Sequence, residues 1–272
     1  MESLAHLISQ NLFLLYAAIG GILASICCGV VGSFVVVRKI EYIPGGIAHS
    51  VLAGLGAAYF FDKNTTIGAL IAALIAALVI AYVSLKAKKY ENTIISALWS
   101  IGMAIGVIFM TKAPGYNADL MSYLFGNILM LSPQNLYFLG ILDLIIVVIA
   151  AIFYEQFLST IFDPEFAKLR GLAVNFYYTL LLCLIAVTVV ILMQVVGIIL
   201  LLALLILPAA IARCFTSSIF KIIVIGIVLG AVFALSGLAI AYQFNIPAGA
   251  TIILLSGTLF FTSLLFKGNH SG

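Results

Sequence analysis

The sequence predicts an all-α integral membrane protein, a polytopic bundle of about nine transmembrane helices with a short helix on its cytoplasmic side. Three observations predict it. Charged residues are 8% of the 272 positions and hydrophobic residues 65%, whereas a soluble domain carries roughly 25% charge. The mean hydropathy is +1.32. Apolar windows of about 20 residues, the length that crosses ~30 Å of hydrocarbon, recur from one end of the chain to the other. The 23 glycines and 12 tyrosines suit the same class, since small residues let membrane helices approach closely and tyrosines favour the interface. The formal net charge of +3 adds little.

The first ten residues, MESLAHLISQ, hold Glu2 and no lysine or arginine, so they lack the basic start of a secretory signal, and the apolar run after them is expected to persist as a helix. Long apolar windows occupy residues 11–37, 65–85, 92–111, 135–154, 174–194, 219–242 and 248–266. Two shorter ones lie at 46–61 and 197–212. The last of these continues directly from its predecessor, and the joint run FYYTLLLCLIAVTVVILMQVVGIILLLALLILPAAIA is about twice what one span requires. It must turn back near Met193 to Gly197. The whole of 1–272 is expected to form one transmembrane domain.

Nine spans can be tested against charge, because cytoplasmic loops hold the excess of lysine and arginine. With the N-terminus outside, Arg38, Lys39, Lys86, Lys88, Lys89, Lys168, Arg170, Arg213, Lys221 and Lys267 share one side, leaving Lys63 and Lys112 of the 12 basic residues on the other. Eight spans spoil that asymmetry unless 197–212 is re-entrant.

Two connections are more than links. The outer segment 112–135 alternates apolar and polar residues at helical spacing from Asp119 to Leu131, which predicts an interfacial or capping helix. The inner segment EQFLSTIFDPEFAKLRGL, 155–172, is dense in charge. There Asp163 suits an N-cap, Pro164 and Glu165 a first turn, Lys168 and Arg170 a last turn, and Gly171 a stop. Charge alone leaves a solvated linker and a docking element equally open.

His49 is the polar residue that most needs a reason. It sits in RKIEYIPGGIAHSVLAGLG, and an unsatisfied polar group in hydrocarbon costs several kcal/mol. On a helical wheel it shares a face with Gly45, Leu52 and Gly56, beside Gly46, Ser50, Ala53 and Ala57. Such a low surface packs tightly on a neighbour or borders a watery path, and intramembrane ionisable groups are functional candidates by default. A histidine bonded to a backbone carbonyl or a hydroxyl across a helix interface is the alternative. Asp143 is the carboxylate set deep in a span; it is paired, protonated or solvated by a cavity, with structural pairing and a place on the pathway both open.

Gln194, Asn245 and Asn127 fall near outer helix ends, where interfacial hydrogen bonding accounts for them. Cys27, Cys28, Cys183 and Cys214 give no disulfide framework. Cys27 with Cys28, and Met103 with Met110, are soft metal ligands in principle and ordinary apolar packing more readily. The spacings Gly102 to Gly106 and Gly226 to Gly230 fit close helix crossings. The chain has no G-x-x-x-x-G-K-[ST], H-E-x-x-H or G-x-S-x-G, so those devices for nucleotide binding, metalloproteolysis and hydrolysis are absent.

Taken together, VVRKIEYI at the end of the first span, GGIAHSVLAGLG, DLMSYLFGNIL at 119–129, FDPEFAKLRGL at 162–172, LLALLILPAAIAR at 201–213 and NIPAGATIILL at 245–255 resemble the membrane subunit of the ABC importers for zinc and manganese. The resemblance implies a homodimeric permease in a prokaryotic inner membrane, not an enzyme itself. It implies two cytoplasmic ATPase partners, an extracytoplasmic metal-binding protein, and no permanent cofactor or nucleic acid. The family's coupling helix matches Asp163, Pro164, Glu165, Phe166, Ala167, Lys168, Leu169, Arg170 and Gly171, which become the expected ATPase-docking surface. His49 matches the pathway histidine. Many members, notably those for manganese, place aspartate one turn earlier, where this chain has Gly45, and the family often has aspartate where Asn245 stands.

A site led by imidazole and short of carboxylate suits zinc better than manganese, which prefers oxygen. Two-fold symmetry would supply a second His49, and weak binding helps an ion leave as well as enter. The expectation is therefore alternating-access import of a divalent ion, zinc first, with manganese or iron(II) as the alternative cargo. Gly45, Leu52, Gly56 and Asp143 are the remaining pathway candidates. A secondary cation transporter with His49 and Asp143 as a relay is the rival from another class, and an intramembrane enzyme ranks below it for want of a nucleophile and base at a recognisable spacing.

Overall fold

The computed structural model describes residues 12–113, 126, 128 and 131–268. The helix expected between Asp119 and Leu131, with Asn127, lies outside the described residues except at Gly126, Ile128 and Leu131. Among the described residues there are eleven α-helices: α1 (Leu12–Arg38), α2 (Tyr42–Phe60), α3 (Thr65–Lys86), α4 (Glu91–Lys112), α5 (Pro133–Ile152), α6 (Tyr154–Phe162), α7 (Pro164–Leu169), α8 (Val174–Val196), α9 (Ile198–Phe215), α10 (Ile219–Phe244) and α11 (Ala248–Gly268). Nine of these are long and apolar enough to cross a membrane. The two short windows are both full helices, and α2 begins earlier than its apolar window because Pro44 is tolerated in a first turn whose N–H groups have no intrahelical partner.

The chain divides into two compact units. One takes Met1–Lys39, Met121–Ala150 and Ile191–Gly272; the other takes Ile40–Leu120 and Ala151–Val190. In the first, α1 packs on α9 and α10, and α11 closes against both. Small residues permit these contacts: a Cβ on Gly32 would meet the Leu205 carbonyl, and one on Gly230 would lie 3.1 Å from Ser25 Cβ. The turn expected near residue 197 is made by Gly197 itself, at φ 80°, a conformation open to glycine at little cost. At the α1 end, Arg213 donates to the Val36 carbonyl over a cluster of Val36, Ala209, Ala212 and Ile222.

In the second unit α2 lies against α3 and α4. Helix α3 wears its large residues outward: Ile67, Ile71, Ile75, Leu78 and Tyr82 are exposed while Ala69, Ala73, Ala76 and Ala77 are buried. That inversion suits a helix facing lipid on one side and a close-packed helix on the other. Asn64 caps its start by accepting from the Thr66 and Ile67 amides at 2.9 and 3.3 Å. Glu91, buried at the start of α4, accepts from Ser84 Oγ at 2.5 Å, with the Tyr42 hydroxyl hydrogen-bonded to the same carboxylate. One carboxylate thus ties together the ends of α2, α3 and α4.

Candidate functional site

Helix α2 is held on α4 by missing side chains. A Cβ added to Gly102 would stand 2.6 Å from Ser50 Cα, one on Gly106 would stand 2.6 Å from the Leu52 carbonyl oxygen, and one on Gly56 would stand 2.5 Å from the Gly106 carbonyl oxygen. The 102-to-106 spacing therefore marks a true crossing. Of the residues that share the wheel face of His49, Gly45 is buried, and Leu52 and Gly56 are buried in that crossing. Leu52 and Gly56 shape the backbone approach to α4.

His49 itself is half-buried. Its imidazole stacks on the Trp99 indole with centroids 4.1 Å apart and planes 9° from parallel, while Nδ1 is buried with no hydrogen-bond partner. The neighbouring Ser50 Oγ donates to the Gly46 carbonyl at 2.7 Å and also to the Leu98 carbonyl at 3.2 Å, so the two helices are tied beside the stacked pair. The ring is not tied to a carbonyl through Nδ1, as the alternative for a membrane histidine supposed. Trp99 escaped the sequence reading. Its one available signal was position: the single tryptophan of the chain stands eight residues inside α4, about 12 Å along it, away from the interfacial belts that tryptophan prefers.

Asp143 belongs to the other unit. It is 3% exposed on a buried stripe with Leu139, Ile146 and Ala150. Neither carboxylate oxygen has a conventional hydrogen-bond partner; the Cys27 thiol is the side chain that faces it, and a thiol is a weak donor. Among the described residues no group of three or more His, Cys, Asp and Glu is arranged to hold a metal ion. Cys27, Cys28 and Met110 are buried, as packing predicts.

The short self-capped helix expected from Asp163 to Gly171 is α7, and a separate helix, α6, precedes it, the two parted at Asp163. A residue before proline is driven out of the helical region, and Asp163 adopts φ −143°, ψ 81° while its carboxylate accepts from the Phe166 amide at 2.9 Å. Gly171 ends the segment at φ 79°. Ala167 is buried, whereas Glu165, Phe166, Lys168, Leu169 and Arg170 are exposed, with the Arg170 guanidinium 4.7 Å over the Phe166 ring. Asn245 ends α10 in the left-handed conformation at φ 52°, one that asparagine tolerates better than most residues.

A family model described as the ABC 3 transport family matches residues 10–267. The chain belongs to this family. It is 42% identical over 263 residues to the Chlamydia trachomatis "Probable metal transport system membrane protein", covering 94% of this chain and 89% of that one. It is 36% identical over 257 residues to the "Manganese transport system membrane protein MntC" of Listeria monocytogenes, covering 94% and 91%. Among solved structures, PsaBC from Streptococcus pneumoniae, in complex with Fab, superposes with a TM-score of 0.85 at 33% identity over 96% of this chain and 94% of that chain.

The family that the motifs resembled is thus the family of the chain, that of the membrane subunits of metal-uptake ABC transporters. As an ABC permease it is a multi-pass membrane protein of the prokaryotic inner membrane and not an enzyme; ATP hydrolysis and substrate capture belong to partner proteins. The secondary transporter and the intramembrane enzyme give way to this assignment.

Proposed function

We propose that two copies of this chain form the path of a zinc importer, with His49 of each copy meeting the ion in mid-membrane and α7 receiving the ATPase. The observation that carries the cargo is the donor set. His49 presents a half-buried imidazole, and one turn before it stands Gly45, with no carboxylate. Imidazole suits zinc, whereas manganese selects oxygen ligands. A specific observation favours manganese as the second reading: relatives such as the Listeria protein carry that metal in their names. The more similar Chlamydia protein is described by metal transport alone.

The deciding experiment is ion uptake into proteoliposomes holding the permease, its ATPase and its binding protein. ATP-dependent Zn2+ uptake exceeding that of Mn2+ and Fe2+ is expected, with His49→Ala reducing it to background. Gly45→Asp is expected to move the preference toward Mn2+ by restoring an oxygen ligand. Preferential Mn2+ uptake by the unaltered chain would establish the second reading, and undiminished uptake by His49→Ala would remove the histidine from the path.

A further inference from the structure

We propose that Trp99 is the positioning residue of the pathway histidine: its indole fixes the plane of the His49 ring and raises its hold on a bound cation. The inference rests on the metal-path reading of His49 and deepens it.

A ligating histidine is ordinarily oriented by a hydrogen bond from its second nitrogen to a carboxylate, carbonyl or water. His49 Nδ1 has no such bond. What meets the ring instead is a parallel indole at 4.1 Å and 9°. A metal binds an imidazole nitrogen through the lone pair in the ring plane, so a neighbour stacked on the face fixes the ring without covering the donor edge. The stack also discriminates between states. An imidazole that shares its lone pair with a divalent cation becomes electron-poor, and the negative face of an indole attracts positive charge. Trp99 therefore favours the loaded ring over the empty one, and only an interaction that differs between two states shifts their balance.

The setting agrees with that role. The indole is 40% exposed and lies well inside the span, where an interfacial anchor has no place. The Ser50-to-Leu98 hydrogen bond and the Gly102 contact on Ser50 fix the two backbones at the residues next to the pair. Helix α4 cannot slide without carrying the indole off the imidazole.

The chain has one tryptophan, so its emission is the difference between spectra of the unaltered permease–ATPase complex and its Trp99→Phe counterpart. Co2+, a paramagnetic substitute for Zn2+, is expected to quench that emission, prior Zn2+ to protect it, and His49→Ala to abolish the quench. In transport, Trp99→Ala is expected to raise KM for Zn2+ about tenfold, equivalent to about 1.4 kcal/mol, with kcat little changed. Trp99→Phe, which keeps an aromatic face, is expected to restore most of the loss. An unaltered KM in well-folded Trp99→Ala, or a Trp99 emission indifferent to Co2+ while His49→Ala is inactive, overturns the positioning role and leaves the metal path standing. Full transport by His49→Ala overturns the path itself. Should Trp99→Ala fail to fold, the emission titration and the Trp99→Phe kinetics decide alone.

Discussion

Asp143 and His49 are the two ionisable side chains that the sequence singles out inside apolar helices, and their surroundings differ. His49 is half-buried and has an aromatic partner. Asp143 is almost wholly buried on the inner stripe of α5, faced by a thiol and lacking a conventional hydrogen bond. A buried polar group without a good partner is a burden on stability, and exchanging it for an apolar side chain of similar volume is commonly neutral or stabilising. Asp143→Leu is therefore expected to raise stability by about 1 kcal/mol, read as a higher midpoint of thermal unfolding in detergent, and to leave metal uptake intact. A lowered midpoint would show that the carboxylate holds the fold; a normal midpoint with lost uptake would put it on the path. Both residues were legible in the sequence because hydropathy alone marks them. Their neighbours were not: Trp99 is 50 positions from His49, and only the crossing of α2 over α4 brings the rings together.

That crossing is made by absent side chains, and it is the element on which the site depends. A methyl group at Gly102 would press on the Ser50 backbone at 2.6 Å, where nothing flexible can yield, whereas Gly257 on α11 has nothing within 4 Å of the same hypothetical atom. Gly102→Ala is accordingly expected to cost about 1–3 kcal/mol through overpacking and to shift the emission of Trp99. Gly257→Ala is expected to be neutral or to stabilise by up to about 1 kcal/mol, since alanine is the better helix former. Equal effects of the two, measured by thermal unfolding, would mean that α2 and α4 do not meet as described. The sequence showed the 102-to-106 spacing but not its partner surface, because many glycines in a membrane chain share such spacings. At residue 197 the requirement of length alone was enough, since a run twice the bilayer thickness has to turn and glycine is the residue that can. At Asp163 the cap and the proline were legible; the separate helix α6 before them was not singled out, although YEQFLSTIF holds one charge, Glu155, and no glycine or proline.

For the molecule as a whole, nine spans follow from length and hydropathy, quantities that one chain carries complete. The ion and the assembly do not, because a lone imidazole does not specify a metal and one chain does not display its partners. The proposed ATPase contact is the part of the assembly that one chain most nearly specifies. Leu169 is 86% exposed and Phe166 50% exposed on a helix of six residues bearing Glu165 and Lys168 and closed by Arg170. A charged helix this short is not a lipid-facing span, and exposed aromatic and aliphatic side chains ringed by charge are what a protein partner buries. The segment is also prepared in advance. Asp163 caps its first turn, Gly171 stops it, and Arg170 stacks on Phe166, so little ordering is left to oppose binding. Glu165→Arg combined with Phe166→Ala removes the aromatic anchor and reverses a charge without touching the buried Ala167. The expected outcome is a permease with unchanged expression and thermal stability that holds its ATPase at least tenfold more weakly, about 1.4 kcal/mol, and has lost ATP-driven uptake. Co-purification on a tag carried by the permease reads the first effect and proteoliposome transport the second; an ATPase retained in full would place its docking surface elsewhere on the chain.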